Sequence, residues 1–201
     1  QGYYPFYKEN VKNYPLRLQN MINTILDYDL PAIENIEYAT TLKIKKMLMI
    51  ISTLVPFSPN MTSLSSEIET NRASGIKYLG FLEKSKLIKM ISSSQKGMSS
   101  LNKPEKIYLD NTNLLYALTN SSINEGNKRE TFFANQMSTN HHLTIPPKGD
   151  FIVDDTYTFE IGGRNKTYNQ IKDIPNSYIA FDNAETGFGN KVPLWLFGML
   201  Y

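Results

Sequence analysis

The chain has no cysteine, so it can build neither a disulfide framework nor a thiolate zinc site, and this composition fits a reducing compartment. Its two histidines are adjacent, His141-His142, and lack the ligand spacing of a zinc site, so packing or exposure is the reading they receive. Long apolar runs are missing too. The most apolar stretch, Met47-Leu-Met-Ile-Ile-Ser-Thr-Leu-Val55, follows Lys43, Lys45 and Lys46 and stops at Pro56, too short to cross a bilayer. The expectation is therefore a cytoplasmic chain without a membrane partner. Neither a Gly-x-Gly-x-x-Gly nor a Walker A pattern occurs, so Gly162-Gly163 is read as a turn and not as a phosphate cradle.

What is present points to a folded, two-domain chain. The 201 residues are 41% hydrophobic, 12% aromatic and 20% charged, enough to bury a sizeable core and unlike disordered or collagen-like compositions. The start, Gln1-Gly2-Tyr3-Tyr4-Pro5-Phe6-Tyr7, has no initiator methionine and no secretory pattern, which suggests a piece of something longer. The net charge of +2 hides an asymmetry: residues 1–110 hold fourteen basic and ten acidic residues, whereas 111–201 hold seven and nine. Between Arg72 and Lys106, eight basic residues meet only Glu83 and Glu105. A moderately basic segment thus precedes a mildly acidic domain.

Periodicity supplies the elements. Leu16, Met21, Ile22, Ile25 and Leu26 mark an amphipathic helix from Tyr14 to Leu30, ending near Pro31. A second helix spans about Thr40 to Leu54, closed by Pro56 and Pro59. Capping residues at Asn60-Met61-Thr62 and Thr70-Asn71 introduce two shorter helices, the latter over Arg72 to Lys84 with Ile76, Leu79 and Leu82 on one face. Alternating Leu87 to Ile91 and Lys106 to Leu109 flank a Ser-, Gly- and Lys-rich stretch, a hairpin with a long tip. Helix, helix, turn, helix and hairpin describe a winged helix-turn-helix. Asn113 to Leu118 reads as a helical turn, Asn120 to Asn127 as a loop, and Lys128 to Met137 as a helix burying Phe132, Phe133 and Met137. Strands follow at 143–145, 150–153, 157–161 and 178–181, with a tight Asp154-Asp155 turn, a helix opening at Thr167 to Ile171, and an apolar element from Val192. The fold class expected is α/β (α+β): residues 1–36 a linker and helix, 37–111 the winged helix, and 112–201 an α/β domain.

Three carboxylates in the second half can converge. Glu130 lies in a helix, while Asp150 and Glu160 occupy the two arms of a hairpin whose tight turn can set them side by side. Such a group suits one or two Mg²⁺ ions that orient a water and stabilise charge on a scissile phosphate. No cofactor is certain, and Mg²⁺ is the one these residues would take. Each residue also has an ordinary reading: a solvated helical Glu130 beside Lys128 and Arg129, a turn residue at Asp150, and an ion pair from Glu160 to Arg164 or Lys166.

The spacing of Glu130, Asp150 and Glu160, with Gln170 beyond, resembles the PD-(D/E)XK, or restriction-endonuclease-like, core. More closely, Arg129-Glu-Thr-Phe-Phe-Ala-Asn-Gln136, Gly149-Asp-Phe-Ile-Val153, Tyr157-Thr-Phe-Glu-Ile-Gly-Gly-Arg-Asn-Lys166, Ile179-Ala-Phe-Asp-Asn-Ala-Glu185 and Pro193-Leu-Trp-Leu-Phe-Gly198 resemble the C-terminal domain of a large family of bacterial and archaeal AAA-type ATPases. Lys103-Pro-Glu-Lys-Ile-Tyr-Leu-Asp-Asn111 and Gly2-Tyr-Tyr-Pro-Phe-Tyr7 extend the similarity over essentially the whole chain. The resemblance implies a winged helix and a nuclease-like domain of unknown function following an ATPase segment that lies outside this chain. One departure matters. Where an active core of this class carries a lysine, two residues after the second strand carboxylate, this chain has Gly162, and Lys166 lies four residues further on. Loss of that lysine argues against cleavage.

Three functions follow from these readings. The first, favoured here, is a non-catalytic, DNA-associated accessory region in which Arg72, Lys77, Lys84, Lys96 and Lys103 meet double-stranded DNA. The second is a Mg²⁺-dependent endonuclease using Glu130, Asp150 and Glu160 for the metal, with Lys166 and Gln170 beside them. The third is a scaffold that docks another protein, for which Tyr78 and Phe81 would have to share an outward face.

Overall fold

The computed structural model describes residues 3–95, 104–119 and 122–200. Helices and strands are mixed in the α+β manner expected, with seven α-helices and two sheets among the described residues. The chain forms two compact units: Gln1–Met90 with Ile107–Ile123, and Ile91–Lys106 with Asn124–Tyr201.

The first unit opens with α1 (Tyr14–Thr24), a five-residue π turn (Ile25–Asp29) and α2 (Leu30–Glu34). Tyr14, Leu18, Ile22, Leu26 and Leu30 recur at every fourth residue and are all buried. In an unbroken α-helix such a stripe drifts by about 40° per step, and the wider π turn takes up part of that drift. Pro31 therefore does not end the helix as expected. It follows directly on the π turn within one continuous helical run, where the wider turn before it makes room for a residue without an N–H, and left-handed Asn35 closes the segment instead.

The winged helix-turn-helix follows in the expected order. Helix α3 (Tyr38–Leu54) buries Ile44, Met47, Leu48 and Ile51. The short α4 (Met61–Glu67) and the longer α5 (Arg72–Lys84) both start on asparagine caps: Asn60 accepts from the N–H groups of Thr62 and Ser63, and Asn71 from Ser74. These two helices meet at Gly75, where an added Cβ would stand 2.1 Å from Ser65 Oγ. Strands β1 (Ile88–Ile91) and β2 (Lys106–Leu109) pair as the wing. Phe57 extends the ladder, bridging Ile107. The expected tip, with Lys96 and Lys103, lies outside the described residues.

The expected division at residues 36 and 111 differs from the packing. Leu18, Ile22 and Leu26 share one buried cluster with Leu48, Leu79, Leu114 and Leu115, so the leading helices belong to the same core as the winged helix. Helix α6 (Thr112–Leu118), capped by Asn111, belongs to it as well. The Tyr14 hydroxyl donates to Asn113 Oδ1 at 2.8 Å, and Gln19 Nε2 donates to the Ala117 carbonyl at 3.1 Å.

In the second unit, α7 (Glu125–Met137) precedes a five-stranded sheet ordered β3 (Leu143–Thr144), β4 (Phe151–Val153), β5 (Tyr157–Gly162), β6 (Ser177–Phe181), β7 (Lys191–Pro193). The first three strands run antiparallel; β6 joins β5, and β7 joins β6, in parallel. Asp154 and Asp155, both at positive φ, make the predicted tight turn between β4 and β5. Phe133 of α7 packs within 5.2 Å of the ring centres of Phe151, Phe159 and Phe197, so α7 covers one face of the sheet. Ile171, Ile179 and Phe181 form a smaller cluster on β6 and the β5–β6 connection. The expected helix in that connection is only a 3-10 turn, Tyr168–Gln170, and the apolar terminal element is β7 followed by a 3-10 helix, Leu194–Met199.

Gly75→Ala should lower the unfolding free energy by roughly 1–3 kcal/mol, the cost of overpacking a close helix crossing. Denaturant titration of the variant checks this, and an unchanged midpoint would show that α4 and α5 separate freely.

Candidate functional site

Glu160 is the most unusual residue of the second unit. It sits in β5, the central strand, beside Ile179 of β6, and its side chain is 2% exposed. Burying a carboxylate costs several kcal/mol, more than one partly exposed ion pair returns, so such a residue marks a functional-site candidate. Its Oε1 is ion-paired with Lys166 Nζ, and its Oε2 is buried with no hydrogen-bond partner among the described residues.

The route taken by Lys166 explains the glycine at the expected lysine position. A Cβ built on Gly162 would stand 2.6 Å from both Cβ and Cγ of Lys166 and 2.8 Å from its Cδ. The aliphatic stem of Lys166 thus fills the volume that a side chain at 162 would occupy. The Lys166 amide donates to the Gly163 carbonyl at 2.9 Å, closing the turn that folds residue 166 back. Lys191 Nζ donates to the Lys166 carbonyl at 2.9 Å and fixes the turn from β7.

The other acidic groups are each engaged. Asp150 Oδ2 accepts from the Ile161 amide at 2.7 Å, the cross-strand position the hairpin predicted. Glu130 Oε2 lies 3.3 Å from Lys106 Nζ. Arg129, one residue earlier, donates from Nε to Asp182 Oδ2 at 3.1 Å, tying α7 to the end of β6. Burial raises the Glu160 carboxyl above its ordinary value of 4.5; the Lys166 hydrogen bond pulls it down, and the charges of Asp150 and Glu130 push it up. Burial lowers Lys166, but the hydrogen bond and charge of Glu160, with Asp150 and Glu130 beyond, outweigh it and leave the ammonium raised.

Glu130, Asp150 and Glu160 feel one another's charge, yet no group of three His, Asp or Glu among the described residues is placed to hold an ion. Among the described residues, Glu160 Oε2 without a partner is a feature that fits a cation, whereas Asp150 Oδ2 and Glu130 Oε2 already meet donors. Gln170 is exposed on the 3-10 turn. Lys106 and Asp182 were missed as partners. Lys106 is 24 positions from Glu130, and Asp182 is 53 from Arg129, separations that no local spacing rule spans.

In the first unit, α5 exposes Arg72, Ala73, Lys77, Gly80 and Lys84. Tyr78 and Phe81 do not share an outward face: they are 9% and 7% exposed and belong to the core, which removes the aromatic docking surface. Basic residues are fewer in effect than in count. Lys84 pairs with Glu34, Lys89 with Asp110 at 3.9 Å, and Lys106 with Glu130. Burial pushes Lys89 down and Asp110 up in spite of their attraction. Arg72 and Lys77 carry no ion pair among the described residues, and Lys86, which the periodicity did not single out, is exposed in the turn between α5 and β1.

Residues 1–125 match the family model of a domain of unknown function, DUF8612. That is more than half of the chain, which belongs to this family. The match ends as α7 begins, so it takes in the first unit and the wing but not the carboxylates of the second unit. No curated protein and no solved structure matches the chain. Among the described residues no helix is long and apolar enough to cross a membrane.

Two outcomes follow from the geometry. Gly162→Ala should cost roughly 1–3 kcal/mol by displacing the Lys166 stem, but less than about 0.5 kcal/mol in a Lys166→Gly background, where Cβ, Cγ and Cδ of residue 166 are all gone. Additive costs in denaturant titration would contradict the shared-volume account. Because the folded Glu160 carboxyl is raised, the fold binds its proton more tightly than the unfolded chain does. The stability from this group is full below the ordinary carboxylate range and falls as pH rises through it. The unfolding free energy of wild type relative to Glu160→Gln should therefore fall as pH rises above the ordinary carboxylate range; parallel profiles would contradict the shift.

Proposed function

We propose that this DUF8612-family chain is a non-catalytic accessory region that anchors its parent protein on duplex DNA, with a nuclease-like second unit that does not cut. The observation that carries the reading is the outward face of α5, the second helix of a helix-turn-helix, where Arg72 and Lys77 are exposed and have no ion pair among the described residues. Cations in that position neutralise phosphates and release counterions, the main source of affinity for DNA. The AAA-type ATPase parent rests on the resemblance of the sequence motifs alone. Absence of cleavage is supported by the engagement of the acidic groups: Glu160 by Lys166, Asp150 by the Ile161 amide, and Glu130 by Lys106.

A second reading, Mg²⁺-dependent phosphodiester cleavage, draws on the unpartnered Glu160 Oε2 and on Lys166 beside it. It requires the neighbouring oxygens to be released from their present donors. That cost sets it below the first.

Binding to a labelled duplex should be measurable at low salt and weaken with a log–log salt slope of roughly −2 to −4, for two to four phosphate contacts. Lys77→Ala should reduce that slope by about one. Absence of low-salt binding would overturn the DNA reading. Supercoiled plasmid should stay intact with Mg²⁺ or Mn²⁺; nicking that disappears in Asp150→Ala and Glu160→Ala would replace the non-catalytic reading with the nuclease one.

A further inference from the structure

The exposed face of α5 is poor in groups that can tell one base from another. A recognition helix enters the major groove with its N-terminal residues toward the base edges. In α5 those residues are Arg72, Ala73 and Ser74. Arg72 alone among them has a donor fork that matches guanine O6 and N7; a serine bonds to any base, and an alanine offers only its methyl. Asn71, which could otherwise read adenine, has its side-chain oxygen committed to the Ser74 amide at 2.8 Å.

Further along the helix the chemistry is that of backbone contact. Lys77 lies about 7.5 Å beyond Arg72 along the axis, and its Nζ is 5.4 Å from the centre of the Phe81 ring. An ammonium held there is a point charge suited to a phosphate. At Gly80 nothing lies within 4 Å of where a Cβ would stand, so this part of the surface is low and open to a close approach. Lys84 is about 18 Å from Arg72 along the helix and is already paired with Glu34.

We propose that Arg72 is the one base-reading residue of α5, selecting a guanine, and that the rest of this face holds duplex DNA of any sequence through its phosphates. The inference rests on the duplex reading above and adds to it a specificity-determining residue. A single bidentate contact gives discrimination of roughly 5- to 150-fold.

The test compares two labelled 20-base-pair duplexes, one rich in G·C and one of A·T pairs only, binding to wild type, Arg72→Lys and Lys77→Ala. Wild type should prefer the G·C duplex within that range. Arg72→Lys keeps the charge and loses the fork, so it should abolish the preference, with the G·C duplex bound no more tightly than the A·T duplex. Lys77→Ala should weaken both duplexes by the same factor and leave the preference intact. A preference that survives Arg72→Lys, or a consensus of several positions selected by wild type from randomised duplexes, overturns the assignment while duplex binding stands. Failure of wild type to bind either duplex at low salt overturns the duplex reading and this assignment together.

Discussion

One buried charge organises the second unit. Glu160 stands in the middle strand of a five-stranded sheet, where a carboxylate has no ordinary reason to be. It is tolerated because Lys166 reaches it through the volume left open by Gly162. The pair in turn fixes the turn after β5, and Lys191 holds that turn from β7. Removing the side chain at 162 and supplying the ammonium from 166 are two halves of a single arrangement. It produces an ion pair in which Glu160 Oε2 has no hydrogen-bond partner among the described residues.

The first unit solves a different problem with ordinary means. Its core is aliphatic, its helix starts are capped by asparagine side chains, and a π turn keeps a four-residue apolar repeat facing inward. What distinguishes it is the outer face of α5, where small residues alternate with cations. The family match to DUF8612 covers this unit and the wing and stops short of Glu130, Asp150 and Glu160.

Much of this was legible in the sequence where the signal was local. The bounds of α5 follow from the Asn71 cap and the apolar spacing, and the Asp154-Asp155 hairpin from its turn chemistry. Even the approach of Asp150 to β5 follows from the register of that hairpin. Signals failed where partners lie far apart in the chain. Pro31 looks like a terminator unless the π turn before it is known, and α6 looks like part of the second domain unless its hydrogen bonds to α1 are seen. Charge counting misled for the same reason: Lys84, Lys89 and Lys106 count toward DNA affinity in a sequence and are spent on Glu34, Asp110 and Glu130 in the fold. Tyr78 and Phe81 show the limit of reading one helix alone, since only the packing of the whole unit decides which side they face.

The proposal of a non-catalytic second unit requires that the Glu160–Lys166 pair keep a divalent cation out. Its most direct test is a Mn²⁺ titration followed by NMR at the Ile161 and Gly162 amides and the Lys166 side chain, where a bound paramagnetic ion would broaden signals first. The account predicts no saturable broadening at these residues at low-millimolar Mn²⁺. Selective, saturable loss of the three signals, reversed by a chelator, would contradict it.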